Sequence, residues 1–250
     1  MAMTTGAGDV WGKPGLRALV KTGAAALGVD LSDAAVELLL CYGRELTRWN
    51  ERVNLTAITE PQAVITKHFL DALSALPYLP AGAVPLVDVG TGGGLPGLAL
   101  KLARPELKLV LLESVGKKAE FLRRAVEALG LSGVRVYQGR AEEAGRDPEL
   151  REGFAVGTAR AVAALPVSAE LVLPLVQVGG LFIAFKGPAV QEEVEAAARA
   201  FSVLGGKVEA VRELALPGGA GRRALVLVRK VAPTPAAYPR AAGRPAKRPL

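Results

Sequence analysis

One stretch constrains this chain more than any other: Val87-Asp88-Val89-Gly90-Thr91-Gly92-Gly93-Gly94-Leu95-Pro96-Gly97. Pro85 and the apolar pair Leu86-Val87 read as a buried strand, and Gly90 to Gly94 as a turn nearly stripped of Cβ atoms. Pro96 suits the first turn of a following helix, where it gives up only an N–H that would be orphaned anyway. Strand, glycine loop and helix start together make a floor that a ligand can approach closely. Four glycines in five positions would destabilise a turn that held nothing.

Two ligand classes fit such a floor. Gly92, Gly94 and Gly97 satisfy G-x-G-x-x-G, with Glu113 about 20 residues further on, which points to a dinucleotide. Asp88 argues for S-adenosylmethionine instead. It stands two residues before the first glycine, where a carboxylate suits a cationic sulfonium and ammonium better than a pyrophosphate. The strand also delivers Gly90, not Gly92, into the turn, which puts the dinucleotide match out of register. The donor's binding residues are then expected at Gly90, Gly92 and Leu95 on the floor. Glu113 is expected on the ribose hydroxyls, as acids after a second strand are. The adenosine is expected between Glu113-Ser114-Val115 and Ala141-Glu142.

Half of the 250 residues are hydrophobic, enough for a sizeable core. The longest nearly apolar run, residues 171–185, is interrupted by Pro174, Gln177 and Gly179-Gly180 and does not read as a membrane span. The start of the chain shows no basic region followed by an apolar block, so no signal peptide is expected. The single cysteine, Cys41, excludes an internal disulfide and suits a reducing, cytoplasmic setting. A formal charge of +7 invites a polyanionic partner, yet Arg240, Arg244, Lys247 and Arg248 in the last twenty residues supply more than half of it.

In chain order, residues 16–27 read as a first helix, and Ser32 as the N-cap of a second that ends at Trp49-Asn50. Arg44, Arg48 and Arg52 recur every fourth residue, either as a solvated face or as a phosphate-contacting stripe. Thr59-x-x-Gln62 reads as a capping box opening a helix through Val64, His68 and Asp71. His68, the only histidine, reads as a structural partner of Asp71 or of a backbone carbonyl. From Pro85 strands and helices alternate, which predicts an α/β, doubly wound, mostly parallel sheet closed by an antiparallel C-terminal hairpin. Ligands bind beyond the carboxyl ends of such strands. Three parts are expected: an N-terminal helical segment over 1–60, a catalytic domain over 61–231, and a basic tail over 232–250 without fixed structure.

The strand-end residues, read together, resemble the bacterial glucose-inhibited division protein B family, small-subunit rRNA guanine-N7 methyltransferases. The resemblance spans roughly residues 35–230. It rests on Trp49-Asn50, Asn54-Leu55-Thr56, His68-x-x-Asp71-Ala72-Leu73, the glycine loop with Leu95-Pro96-Gly97, and Leu112-Glu113-Ser114 with Lys117-Lys118. It continues through Arg140-Ala141-Glu142-Glu143, Arg160-Ala161 and Lys186-Gly187. Ala159 stands where the family pattern has serine. The resemblance implies a class I methyltransferase fold, S-adenosylmethionine as donor, and guanine N7 of 16S rRNA near the decoding region as acceptor.

The residues support that implication by what they lack. No Asn/Asp-Pro-Pro-aromatic motif follows the fourth strand, where Thr158-Ala159-Arg160-Ala161 stands instead, and Cys41 lies in an N-terminal helix. Guanine N7 has a free lone pair and needs neither device. Arg160, at the end of the fourth strand, is expected to act in catalysis or to bridge the donor's carboxylate or Glu142. A monomer that acts on 16S rRNA or the small subunit, with no membrane partner, is the expected state. Two other functions share these features: a methyltransferase of the same fold acting on a small molecule or protein, and an RNA-binding assembly factor without turnover.

Overall fold

A computed structural model describes residues 10–250. A seven-stranded sheet runs through it in the order β3-β2-β1-β4-β5-β7-β6. The strands are β1 (Pro85–Val89), β2 (Lys108–Glu113), β3 (Val134–Gln138), β4 (Phe154–Arg160), β5 (Val176–Lys186), β6 (Gly206–Ala215) and β7 (Arg222–Lys230). β1 to β5 pair in parallel, and β7 is antiparallel both to β5 and to β6. The order reverses between β1 and β4, which creates the crevice where such sheets bind ligands.

Alternation along each strand divides the core in two. Leu86, Leu109, Leu111, Ile183 and Leu227 belong to one apolar cluster, and Val87, Val89, Leu112, Phe182 and Val228 to the other. Helices α1 (Pro14–Ala26), α2 (Asp33–Asn50), α5 (Gly97–Ala103) and α6 (Gly116–Ala128) cover the first face, and α8 (Leu165–Val172) and α10 (Ala198–Leu204) the second. Val20, Leu39, Tyr42 and Leu46 of the first two helices are fully buried in the first cluster. Ser32 caps α2 by accepting the Ala35 N–H, as the sequence predicts.

Several local readings need correction. The cap before α3 (Pro61–Val64) is Glu60, whose carboxylate accepts the Gln62 and Ala63 N–H groups, so Thr59 plays no capping part. Beyond α3 the helix widens into a π-helical turn, Ile65–Leu70, before the short α4 (Asp71–Leu73). The helix after β3 closes after one turn as α7 (Ala141–Ala144), and the helical stretch after β5 divides into α9 (Gln191–Ala196) and α10.

The largest correction concerns the tail. Residues 232–250 hold a fixed path and end in a short helix, α11 (Arg244–Lys247). They bury little apolar surface, so sequence patterning gave no signal. Charged side chains of the body satisfy their backbone instead. Arg151 donates to the carbonyls of Thr234, Pro235 and Tyr238, and Arg146 to those of Ala237 and Pro239. Lys230, fully buried, donates to Thr234 Oγ1 and the Leu173 carbonyl and lies 3.1 Å from Glu152. Arg240 forks onto the completely buried Glu170 of α8, with Nε at 2.8 Å and Nη2 at 2.5 Å.

That fork predicts a large mutational effect. Arg240→Ala leaves the Glu170 carboxylate buried without its counter-ion and is expected to lower stability by about 3 kcal/mol, read as a lower urea midpoint at unchanged slope.

Candidate functional site

The glycine loop is built around a buried carboxylate. Asp88, on β1, accepts hydrogen bonds from Thr91 Oγ1 (2.5 Å), Gly97 N (2.9 Å) and Thr158 Oγ1 of β4 (2.8 Å). Burial raises its pKa to about 6 against the opposing pull of those three donors, so it is a carboxylate at neutral pH. Among the remaining loop amides all but that of Gly93 are also engaged. Gly90 and Thr91 donate to the Leu112 carbonyl, Gly94 and Leu95 to that of Thr91, and Gly92 to Glu113. Gly90 has φ +66°, and a Cβ there would stand 2.8 Å from Val162 Cγ2, so only glycine fits this crossing.

Asp88 therefore faces the loop and not a ligand, so its charge does not select a cationic donor in the way expected from the sequence. A dinucleotide is disfavoured on other ground. A pyrophosphate is bound by loop N–H groups that point at it, and here those of Gly90, Thr91, Gly92, Gly94, Leu95 and Gly97 all donate within the protein.

A cavity opens at the carboxyl ends of the strands. Its floor is Val89 and Gly90, and Ser114, Ala141 and Glu142 line it after β2 and β3. Leu112, Val162, Val167 and Leu171 give it apolar walls, and Gly243, Pro245 and Ala246 of the tail close another side. Of the expected binding residues, Gly90, Ser114, Ala141 and Glu142 meet here. Gly92, Leu95, Glu113, Val115 and Arg160 do not line this cavity. Glu113 sits behind its edge, almost buried, and accepts the N–H of Gly92 (2.9 Å) and of Val115 (2.8 Å). A carboxylate has about four acceptor positions, so two remain for the hydroxyls of a ribose. A mostly apolar pocket lined by Glu142, with Glu113 next to the lining residues Leu112 and Ser114, fits a nucleoside, and the residues present accommodate the adenosine of S-adenosylmethionine.

Beside the cavity lies a second constellation. Arg160, at the end of β4, donates from Nη1 to Asp71 Oδ2 (3.0 Å) and to the Lys67 carbonyl (3.4 Å). Its Nη2 lies 3.3 Å from His68 Nδ1. The partner of Arg160 is thus Asp71, not Glu142. His68 meets Arg160, Thr56 and, at 3.2 Å from Nδ1, the backbone carbonyl of Lys67, so of its two expected partners the carbonyl holds and Asp71 does not. His68 Nδ1 stands between the donating Arg160 Nη2 and the accepting Lys67 carbonyl, and Nε2 lies 2.8 Å from Thr56 Oγ1. Asn50 pins the same loop, accepting the Leu55 and Thr56 N–H groups and donating to the Thr56 carbonyl. Burial raises the pKa of Asp71, opposed by Arg160 and by Arg223, whose Nε stands 3.6 Å from Oδ1.

The loop after β4 is fixed from the far side. Ala161 has φ +56°, a left-handed conformation uncommon for alanine. Lys186 donates to the Ala163 carbonyl (2.8 Å) and to Glu193 (2.6 Å), which in turn accepts the Leu165 N–H at the start of α8. Nothing in the residue types marks Val162 or Ala163 as pocket-forming, and sequence reasoning missed both, along with the tail. Among the arginines of α2, Arg48 lies 3.6 Å from Glu45, while Arg52 beyond the helix end is exposed. Arg124 of α6 pairs with Glu120 at 3.1 Å. Among the described residues no helix is long and apolar enough to cross a membrane.

The sheet order, the crevice between β1 and β4 and the cavity at the carboxyl ends of the strands are those of the class I methyltransferase fold. Solved structures with the same fold include a mutant of MtNAS in complex with S-adenosylmethionine. It matches at TM-score 0.51 and 19% identity over 86% of this chain and 78% of that one. Another is a geranyl diphosphate C-methyltransferase from Streptomyces coelicolor A3(2), at TM-score 0.51 and 14% identity over 76% and 98%. The family model described as rRNA small subunit methyltransferase G matches residues 35–225. A relative of that name from Symbiobacterium thermophilum is 51% identical over 94% of this chain and 98% of its own. Another from Acetivibrio thermocellus is 43% identical over 94% and 97%. The chain belongs to the rRNA small subunit methyltransferase G family.

The environment of His68 sets a pH prediction. Burial and the nearby Arg160 lower its pKa to about 4 from an ordinary 6.5. The unfolded chain therefore takes up the proton first as pH falls, and the stability this imidazole contributes is full above 6.5 and lost toward about 4. The chain has one histidine, so a single imidazole Cε1 resonance is expected to stay at its neutral position down to pH 5. A midpoint near 6.5 would remove the arginine-facing assignment.

Proposed function

We propose that this enzyme methylates N7 of a guanine in 16S rRNA, with Arg160 aligning the base. The methyl donor is S-adenosylmethionine, which supplies a methyl group whose bond to sulfur breaks as the N7 lone pair takes the carbon. The observation that carries the choice of N7 is the state of the acids and bases at the strand ends. Asp71 is ion-paired, its Oδ2 accepting from Arg160 and its Oδ1, which has no hydrogen bond, 3.6 Å from Arg223. Asp88, Glu113 and Glu142 each accept hydrogen bonds from the protein, and both nitrogens of His68 have partners. An exocyclic amine or a ribose hydroxyl must lose a proton to be methylated, and such a site needs a poised base. N7 has no proton to lose, so positioning and desolvation suffice.

Arg160 supplies the positioning. Its guanidinium has five N–H groups, of which three face Asp71, Lys67 and His68. Two remain for an acceptor. Guanine presents N7 and O6 on one edge; a donor on N7 would block the attacking lone pair, so Arg160 meets O6 or a flanking phosphate. Asp71 holds the arginine on one side and neutral His68 on another, and the engaged guanidinium cannot swing across the attack path. Glu113 takes the ribose hydroxyls of the donor, and Glu142 faces its adenine. The exposed cations Lys117, Arg123 and Arg52 contribute phosphate contacts, and the cytoplasm, where ribosomal RNA resides, is the place of action.

Two measurements test this. Labelled donor incubated with small subunits from a strain lacking the modification should yield 7-methylguanosine as the labelled nucleoside; a methylated exocyclic amine or ribose would overturn the reading. Arg160→Ala is expected to keep donor affinity within about twofold while single-turnover transfer falls about 100-fold or more at saturating RNA. Weakened donor binding with turnover recovered at high donor concentration would move Arg160 to the donor's carboxylate.

A further inference from the structure

We propose that the C-terminal segment, residues 243–250, is a wall of the donor site and contributes to recognition of the adenosine. The inference rests on the donor reading given above and adds a part that lies outside the family match, which ends at residue 225.

Three observations carry it. Gly243, Pro245 and Ala246 line the same cavity as Gly90, Ser114 and Ala141. Pro245 is buried there, while Ala246 is exposed toward the cavity side. The Gly243 N–H donates to Glu142 Oε1 at 2.8 Å. That contact fixes the Glu142 carboxylate and leaves Oε2 with acceptor capacity toward the cavity. An adenine presents a ring face and an exocyclic amine that donates. Flat apolar walls from Pro245 and Ala246 suit the face, and the fixed Glu142 suits the amine.

The anchoring of the segment is built before any ligand arrives. Arg240 is clamped on Glu170, and Arg146 and Arg151 hold the carbonyls upstream of it. A wall held in place in this way loses little freedom when a nucleoside docks, so contact with it is gained at small entropic cost. Gly243 itself has φ +77°, which lets the chain turn back over Glu142 where a side chain would be strained.

The test uses calorimetry with S-adenosylhomocysteine and with methylthioadenosine, which share the adenosine and differ at the amino-acid end. Three proteins are compared: the full chain, a truncation ending at Ala242, and Ala246→Trp. The truncation keeps Arg240 and its clamp on Glu170. The full chain is expected to bind both ligands. Each variant is expected to weaken both by the same factor, about tenfold or more, and Ala246→Trp is expected to do so at an unchanged thermal midpoint. Variants that bind both ligands as tightly as the full chain would overturn the tail assignment and leave the donor reading standing. A loss confined to S-adenosylhomocysteine would also overturn it, by moving the tail to the amino-acid end. A full chain that binds neither ligand would refute the donor reading, and this inference with it.

Discussion

The site depends on one buried carboxylate. Asp88 is tied at once to the glycine loop through Thr91, to the start of α5 through Gly97, and to the neighbouring strand through Thr158. An unpaired charge in that position would be costly, and the three donors make it tolerable. In return, the loop and helix start that follow β1 acquire one geometry with a strand 70 residues further on. A Cβ on Gly97 would come within 2.9 Å of the Asp88 carboxylate, so the tie and the glycine specify each other. Tyr42 of α2 then fixes the loop from outside through the Gly93 carbonyl, which couples the N-terminal helices to the floor.

The scattered short motifs acquire a common reason. Asn50, Thr56, His68, Arg160 and Asp71 lie in four separate stretches of sequence, and they form one continuous chain of hydrogen bonds. The π-helical turn carries His68, and Asp71 follows directly after it. Widened turns of this kind commonly occur where side chains must be re-aimed. Each link constrains the next: Asn50 sets the loop, Thr56 holds the imidazole at Nε2, and the imidazole and Asp71 set the guanidinium. The result is a cation with a fixed direction and two N–H groups left to offer.

The sheet and the strand-end residues were legible because both leave period and spacing in the sequence. Alternation from Pro85 marked the parallel sheet and its antiparallel hairpin, and Gly90, Ser114, Ala141 and Glu142 were recognisable from their positions after strands. What was not legible has a physical cause in each case. Asp88 carries the right charge at the right place, but no spacing tells whether a carboxylate faces a ligand or its own loop; Thr91 and Thr158 decide that, and one of them is 70 residues away. Arg160 was identified as a site residue, whereas its partner Asp71 lies 89 residues from it. The tail was misread because order was inferred from apolar periodicity, and this segment is ordered by salt links and by side chains donating to its carbonyls.

That tail gives sequence separation a meaning. Pro245 and Ala246 lie more than half the chain away from Gly90, yet they close a cavity whose floor it makes. The cavity is whole only once Gly243 has turned back onto Glu142. Contacts so distant along the chain carry a large loop-closure cost, which makes the pocket a product of the finished fold and not of any one segment.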